Sequence, residues 1–155
     1  MATAVKKTPL KQTSRTNDPE RTMAEILLVA NKEFADKGLA GARIDEIAAA
    51  TRTSKRMIYY YFASKEGLYL AVLEAAYRRM RQIESDLHLE DLEPVQALKA
   101  LVEFTYDHHQ ANENFIRLVM NENIQRGEYL GQSKDIQQLN GSALQTIQNL
   151  YERGV

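Results

Sequence analysis

The nine residues Ser54-Lys55-Arg56-Met57-Ile58-Tyr59-Tyr60-Tyr61-Phe62 set two cations beside three consecutive tyrosines. A helix turns about 100° per residue, so residues 54, 57, 58, 61 and 62 share one arc and residues 55, 56, 59 and 60 share the other. The first arc reads Ser, Met, Ile, Tyr, Phe, a face that packs on a core. The second reads Lys, Arg, Tyr, Tyr. Positive charge mixed with phenolic hydroxyls on an outward face suits a polyanion. The plainer alternative is that Tyr59 and Tyr60 pack between helices.

Upstream, Ile44, Ile47 and Ala48 mark a short helix from about Ile44 to Ala50, with Asp45 and Glu46 in its first turn, where the helix dipole favours acids. Four residues, Thr51-Arg52-Thr53-Ser54, separate it from the opening stretch. Two short helices joined by a tight turn make a helix-turn-helix. Before them, Asp18-Pro19 reads as an N-cap and a first helical residue. Met23, Ile26, Leu27, Ala30 and Phe34 follow at helical spacing as far as Lys37-Gly38.

Downstream, Ser64 caps a fourth helix carrying Leu68, Val72, Ala76, Met80, Ile83 and Leu87 along one stripe, up to the break at His88–Pro94. Val95, Leu98, Leu101, Val102, Phe104 and Thr105 mark a fifth helix, and Phe115, Leu118 and Val119 a sixth. A seventh runs from about Gln132 to Arg153, after a loop punctuated by Gly127 and Gly131. No strand-like alternation appears, so the fold class is all-α.

The chain has 155 residues, no cysteine and a net charge of −1, which excludes disulfide and thiol-metal chemistry. The charge is uneven: residues 1–65 hold 12 Lys/Arg to 7 Asp/Glu, and residues 66–155 hold 8 to 14. The basic part contains the tyrosine-rich stretch, as expected of a chain whose N-terminal half meets a polyanion. Residues 1–17, with Lys6, Lys7, Lys11 and Arg15, read as a basic arm. The longest aliphatic run, Ile26 to Ala30, is too short to span a bilayer, so no membrane partner and a cytoplasmic location are expected.

The run IDEIAAATRTSKRMIYYYFASKEGLYLAVL, residues 44–73, resembles the DNA-binding domain of the tetracycline-repressor (TetR) family of bacterial transcription regulators. The likeness is carried by Ser54-Lys55, Ile58-Tyr59, Tyr61-Phe62 and Ser64-Lys65-Glu66 with Leu68. It is close over about residues 20–75 and rests on helical layout beyond them. It implies a three-helix DNA-binding domain over 18–65 and a helical effector-binding and dimerisation domain over 66–155. The third helix then lies in the major groove. The DNA-contacting residues would be Arg43, Thr53, Ser54, Lys55, Arg56, Tyr59, Tyr60 and Lys65. The implied protein is a repressor, not an enzyme, that binds a palindromic operator in double-stranded DNA as a homodimer and is released by a small-molecule effector.

Two positions depart from the family pattern. Thr51-Arg52-Thr53 stands where Ala-Gly-Val is usual, and arginine adopts a positive φ at a cost of about 1 kcal/mol that glycine avoids. Arg43 stands where a threonine cap is common, losing the cap and gaining a cation placed for a phosphate. The family also continues past the final NLYERGV with helices that form the dimer interface, so the chain is expected to be incomplete at Val155.

In the acidic half, Phe104, His108, Leu118 and Glu122 are candidates for an effector pocket, with core packing as the alternative. His108-His109 with Glu103 and Asp107 suggests metal ligation, but no HExxH or paired ExxH motif accompanies it, so neither metal nor cofactor is expected. The rival functions are a helical-bundle metal or carboxylate enzyme and a helical adaptor whose basic face binds an acidic protein.

Overall fold

The computed structural model describes residues 18–155, so the basic arm lies outside the described residues. Among those described, seven α-helices follow one another: α1 Pro19–Gly41, α2 Ile44–Ala50, α3 Lys55–Phe62, α4 Lys65–Ser85, α5 Pro94–Ala111, α6 Glu113–Ile124 and α7 Lys134–Gly154. Two 3-10 turns, Leu89–Asp91 and Leu130–Gln132, bridge α4 to α5 and α6 to α7.

The helix ends obey local chemistry. The Asp18 carboxylate accepts from the amides of Glu20 and Arg21 at 3.1 and 3.3 Å, which fixes the start of α1. At Gly38 the chain leaves helical geometry, with φ +65°, before a last turn ends at Gly41. Ser64 Oγ accepts from Gly67 N at 2.9 Å and Ser133 Oγ from Ile136 N at 3.1 Å, capping α4 and α7.

α1 lies against α4 and α6 and is the spine of the molecule. Its inward residues Ile26, Ala30 and Phe34 join Ile47 of α2, Ile58 of α3, Leu68 and Val72 of α4, Leu118 of α6 and Ile136 of α7 in one buried cluster. Each of the larger side chains, Ala30 apart, contributes about 1.5–3 kcal/mol by leaving water. Phe34 meets Tyr69 edge-to-face at 5.1 Å, and Tyr69 meets Tyr129 likewise at 5.2 Å. A smaller cluster of Leu89, Ala97, Leu101 and Leu150 ties α5 to α7.

The expected stripes hold in α1 to α4 and shift in α5. Val95, Leu98 and Val102 point outward, while Ala97, Leu101 and His108 are buried. Ala97 and Leu101 join Leu150 of α7 in one buried cluster, so that face of α5 is the one α7 covers. Ile83, at the far end of the α4 stripe, is likewise exposed.

Candidate nucleic-acid interface

α3 is held by two devices. Ser54 Oγ accepts from Met57 N at 3.2 Å, and Ile58 is fully buried against α1 and α2. Met57, Tyr61 and Phe62 are half-buried beside it, while Lys55, Arg56, Tyr59 and Tyr60 are exposed. Tyr60 is 78% exposed and Tyr59 43%. The two arcs read from the sequence are therefore the two faces of the helix. Large aromatic rings left in water are costly for a monomer and useful at an interface.

The turn from α2 to α3 keeps the left-handed conformation that glycine favours, with Arg52 at φ +52°. Thr51 supports it by donating its hydroxyl to Ile47 O at 2.8 Å, and Thr53 N donates to Ala48 O at 3.0 Å. Thr53 is half-buried in that turn, next to the cap residue Ser54, whose hydroxyl is engaged within α3.

Arg43 precedes α2 and makes no side-chain cap. Its amide donates to Glu33 Oε1 at 3.0 Å, and its exposed guanidinium lies 3.6 Å from Asp45 Oδ2. The same Asp45 carboxylate pairs with Lys55. Thus Arg43 and Lys55, far apart in sequence, meet around one acid at the shared N-terminal edge of α2 and α3. Lys37 pairs with Glu33 at 2.9 Å and also with Glu46, which raises its pKa, the Glu46 hydrogen bond counting most. Lys65 is half-buried and donates to Ala40 O at 3.3 Å, tying α4 to the end of α1. Of the eight positions read as DNA-contacting, Lys65 and Ser54 have side chains hydrogen-bonded to backbone inside the domain, the first to Ala40 O and the second to Met57 N.

The junction of α3 with α4 contains a feature that wheel reasoning missed. Ala63 has φ +64°, and the chain doubles back so sharply that a Cβ on Gly67 would sit 2.1 Å from the Phe62 carbonyl oxygen. Only glycine fits there. The signal was present as a lone glycine in the first turn of a helix.

The four residues read as an effector pocket lie on α5 and α6 in two different surroundings. Leu118 and Glu122 face inward, because the face of α6 that bears them packs on α1. Glu122, fully buried, accepts from the amides of Tyr129 and Leu130 at 3.1 Å each and holds the turn before α7. Burial first, and this carboxylate second, push the Tyr69 phenol well above its ordinary pKa. Phe104 and His108 belong to an aromatic group with Phe115, the His108 ring lying 5.6 and 5.3 Å from the two phenyl rings.

An open cleft of about 430 Å³ lies between α4, α5 and α7, with Tyr77, Arg81, Thr105, His109, Asn140 and Ile147 among its lining residues. Arg81 and Asn140 are hydrogen-bonded across it at 3.2 Å. Among the described residues, the group spaced to hold a metal is His88, Glu90 and Asp91, all exposed; it includes neither His108 nor His109. No helix is long and apolar enough to cross a membrane.

Comparison with known proteins agrees with this architecture. Residues 26–72 match the family of bacterial regulatory proteins, tetR family, and residues 94–155 match the tetracyclin repressor-like C-terminal domain. The HTH-type transcriptional repressor NicS of Pseudomonas putida is 36% identical over 90% of this chain and 66% of its own length. The HTH-type transcriptional repressor SCO4008 of Streptomyces coelicolor is 32% identical over 89% of this chain and 69% of its own. The chain thus spans about two thirds of each relative. The crystal structure of HlyIIR, a hemolysin II transcriptional regulator, superposes with a TM-score of 0.67 at 26% identity, covering 88% of this chain and 74% of that one. The helix order, the exposed third helix and these likenesses together place the chain in the TetR family of bacterial regulatory proteins.

Proposed function

We propose that the chain is a DNA-binding transcriptional regulator, a repressor, that binds a two-fold operator as a homodimer and leaves it when a small molecule binds. One observation carries the proposal. α3 stands on a buried Ile58 and turns Lys55, Arg56, Tyr59 and Tyr60 outward together. In the major groove, Lys55 and Arg56 reach guanine edges or phosphates, and the two tyrosines donate to phosphates or lie against sugar and thymine methyl groups. Arg43, Thr53 and Ser54 flank that helix at the backbone. Both repressor relatives have names that agree with this function.

In this proposal residues 18–65 read DNA and residues 66–155 bind the effector and the second protomer. The cleft between α4, α5 and α7 supports an effector site, with Thr105, His109 and Asn140 as polar groups among apolar ones. Phe104 and His108 lie on α5, one of the three helices that border the cleft, and His108 neighbours the lining residue His109. Effector and operator compete because each biases the setting of α4.

Selection of bound sequences from random duplex DNA tests the class. The expected result is a consensus with two-fold symmetry. Alanine at Lys55, Arg56, Tyr59 or Tyr60 is then expected to weaken binding to the selected duplex at unchanged helicity. A base-edge contact is worth about 1–3 kcal/mol and alters sequence preference, and loss of a phosphate contact lowers the salt slope. Four alanine variants with wild-type affinity would overturn the proposal.

A further inference from the structure

The presumed DNA surface is less basic than its role suggests. Of the 12 Lys/Arg in residues 1–65, four lie in residues 1–17, leaving eight against all seven acids in residues 18–65. Carboxylates also take up several of those cations. Lys37 is paired with Glu33 and Glu46, Arg21 with Glu25, and Arg43 and Lys55 with Asp45.

Asp45 differs from the other acids in its placement. It sits in the first turn of α2, beside the first residue of α3, so one carboxylate faces two cations that the DNA-binding reading assigns to phosphates or base edges. Arg43, Asp45 and Lys55 together carry one net positive charge where the two cations alone would carry two. The first turn of such a helix is also where backbone amides and dipole would favour a phosphate. Here Asp45 and Glu46 occupy that turn, and Glu33 accepts the Arg43 amide.

We propose that Asp45 is a positioning and specificity-determining residue for DNA: it holds Lys55 in place and repels phosphates that approach without a matching sequence. This inference rests on the DNA-binding reading above. Two physical effects act together. A flexible lysine stem held by Asp45 loses less freedom when it meets its base or phosphate, which favours the matched site. The carboxylate's own charge opposes every phosphate nearby, and this lowers attraction to any duplex. All three side chains are about half exposed or more, so the pairing is weak enough for Lys55 to exchange Asp45 for DNA at little cost. Neutralising Asp45 therefore raises affinity for random DNA more than affinity for the matched site, and discrimination falls.

The test compares the wild-type chain with Asp45→Asn on two duplexes of equal length, one selected by the wild type and one of random sequence, over a range of salt. Asp45→Asn is expected to tighten random-duplex binding by about three- to tenfold at low salt. Its log–log salt slope should steepen by about one unit, and the selected-to-random affinity ratio should fall. Asp45→Ser should behave alike, and Asp45→Glu should restore the ratio.

In a Lys55→Gln background, the further change Asp45→Asn should move the ratio by less than about twofold, since the partner through which Asp45 acts is gone. An unchanged ratio in Asp45→Asn and Asp45→Ser, or an equal loss on both duplexes with the salt slope unaltered, would overturn the proposal and make Asp45 a structural residue. A wild-type chain that binds neither duplex would sink the DNA-binding reading, and this inference with it. Those two failures are distinct.

Discussion

Burial holds the His108 imidazole below its usual pKa, with His109 and Arg79 adding charge repulsion. Among the described residues its Nδ1 finds no hydrogen-bond partner to offset the cost of a proton there. The unfolded chain, titrating near the ordinary value of about 6.5, binds the proton first as pH falls. Folding stability from this group is therefore intact above pH 6.5 and is lost as pH drops through that value toward the lower folded pKa. Thermal melts at pH 7.5 and 5.5 should show a drop that shrinks in His108→Phe. An equal drop in both proteins would place the effect elsewhere, with His88 and His109 as the remaining imidazoles. At this scale the sequence told polarity better than address. His108 and Glu122 were visible as polar residues among apolar ones, but which neighbour each would meet depended on α6 turning toward α1. No local pattern encodes that contact. Lys55 was read as a DNA cation with no sign of its pairing to Asp45, ten positions earlier.

Helix α3 keeps its angle because α4 starts immediately behind it. The Ala63 backbone reverses direction, Ser64 caps the next helix, and Gly67 lies under the Phe62 carbonyl. A methyl group placed 2.1 Å from that oxygen must push the two helices apart. Gly67→Ala should cost about 1–3 kcal/mol in urea unfolding, as overpacking does. It should also weaken DNA binding although every groove-facing side chain remains. Wild-type stability together with wild-type binding would show that the joint yields freely. The elements themselves were legible to within a few residues, since Ser54, Ser64 and Pro94 announce helix starts chemically. α5 was legible as a helix and illegible as a surface. Its apolar residues cover most of its circumference, and which face is buried depends on where α7 lies, which no local pattern in α5 states.

The whole molecule leaves two neighbouring helices with apolar residues in water: Val95, Leu98, Val102 and Tyr106 on α5, and Leu144, Ile147 and Tyr151 on α7. Exposed apolar side chains of this kind support self-association, as the proposed homodimer requires. Sedimentation of the wild-type chain should then give a dimer, and the double variant Leu98→Glu/Val102→Glu a monomer of equal helicity. A wild-type monomer would count against self-association of this chain, and a variant dimer of equal strength would assign the protomer contact to another face. The core runs without interruption from α2 and α3 through α1 and α4 to α6 and α7, so the N-terminal and C-terminal helices share one interior. With 21 residues, α4 is about 30 Å long at 1.5 Å per residue. It meets α3 at the tight Gly67 joint at one end and borders the cleft at Tyr77 and Arg81 toward the other. Such a rod multiplies distance. A swing of about 5° shifts a point about 10 Å from its pivot by only about 1 Å, yet carries the far end nearly 3 Å. Hydrogen bonds tolerate roughly 0.5 Å of spread, so under the proposed function a ligand need displace the cleft wall by less than the width of one atom to take α3 out of register with DNA.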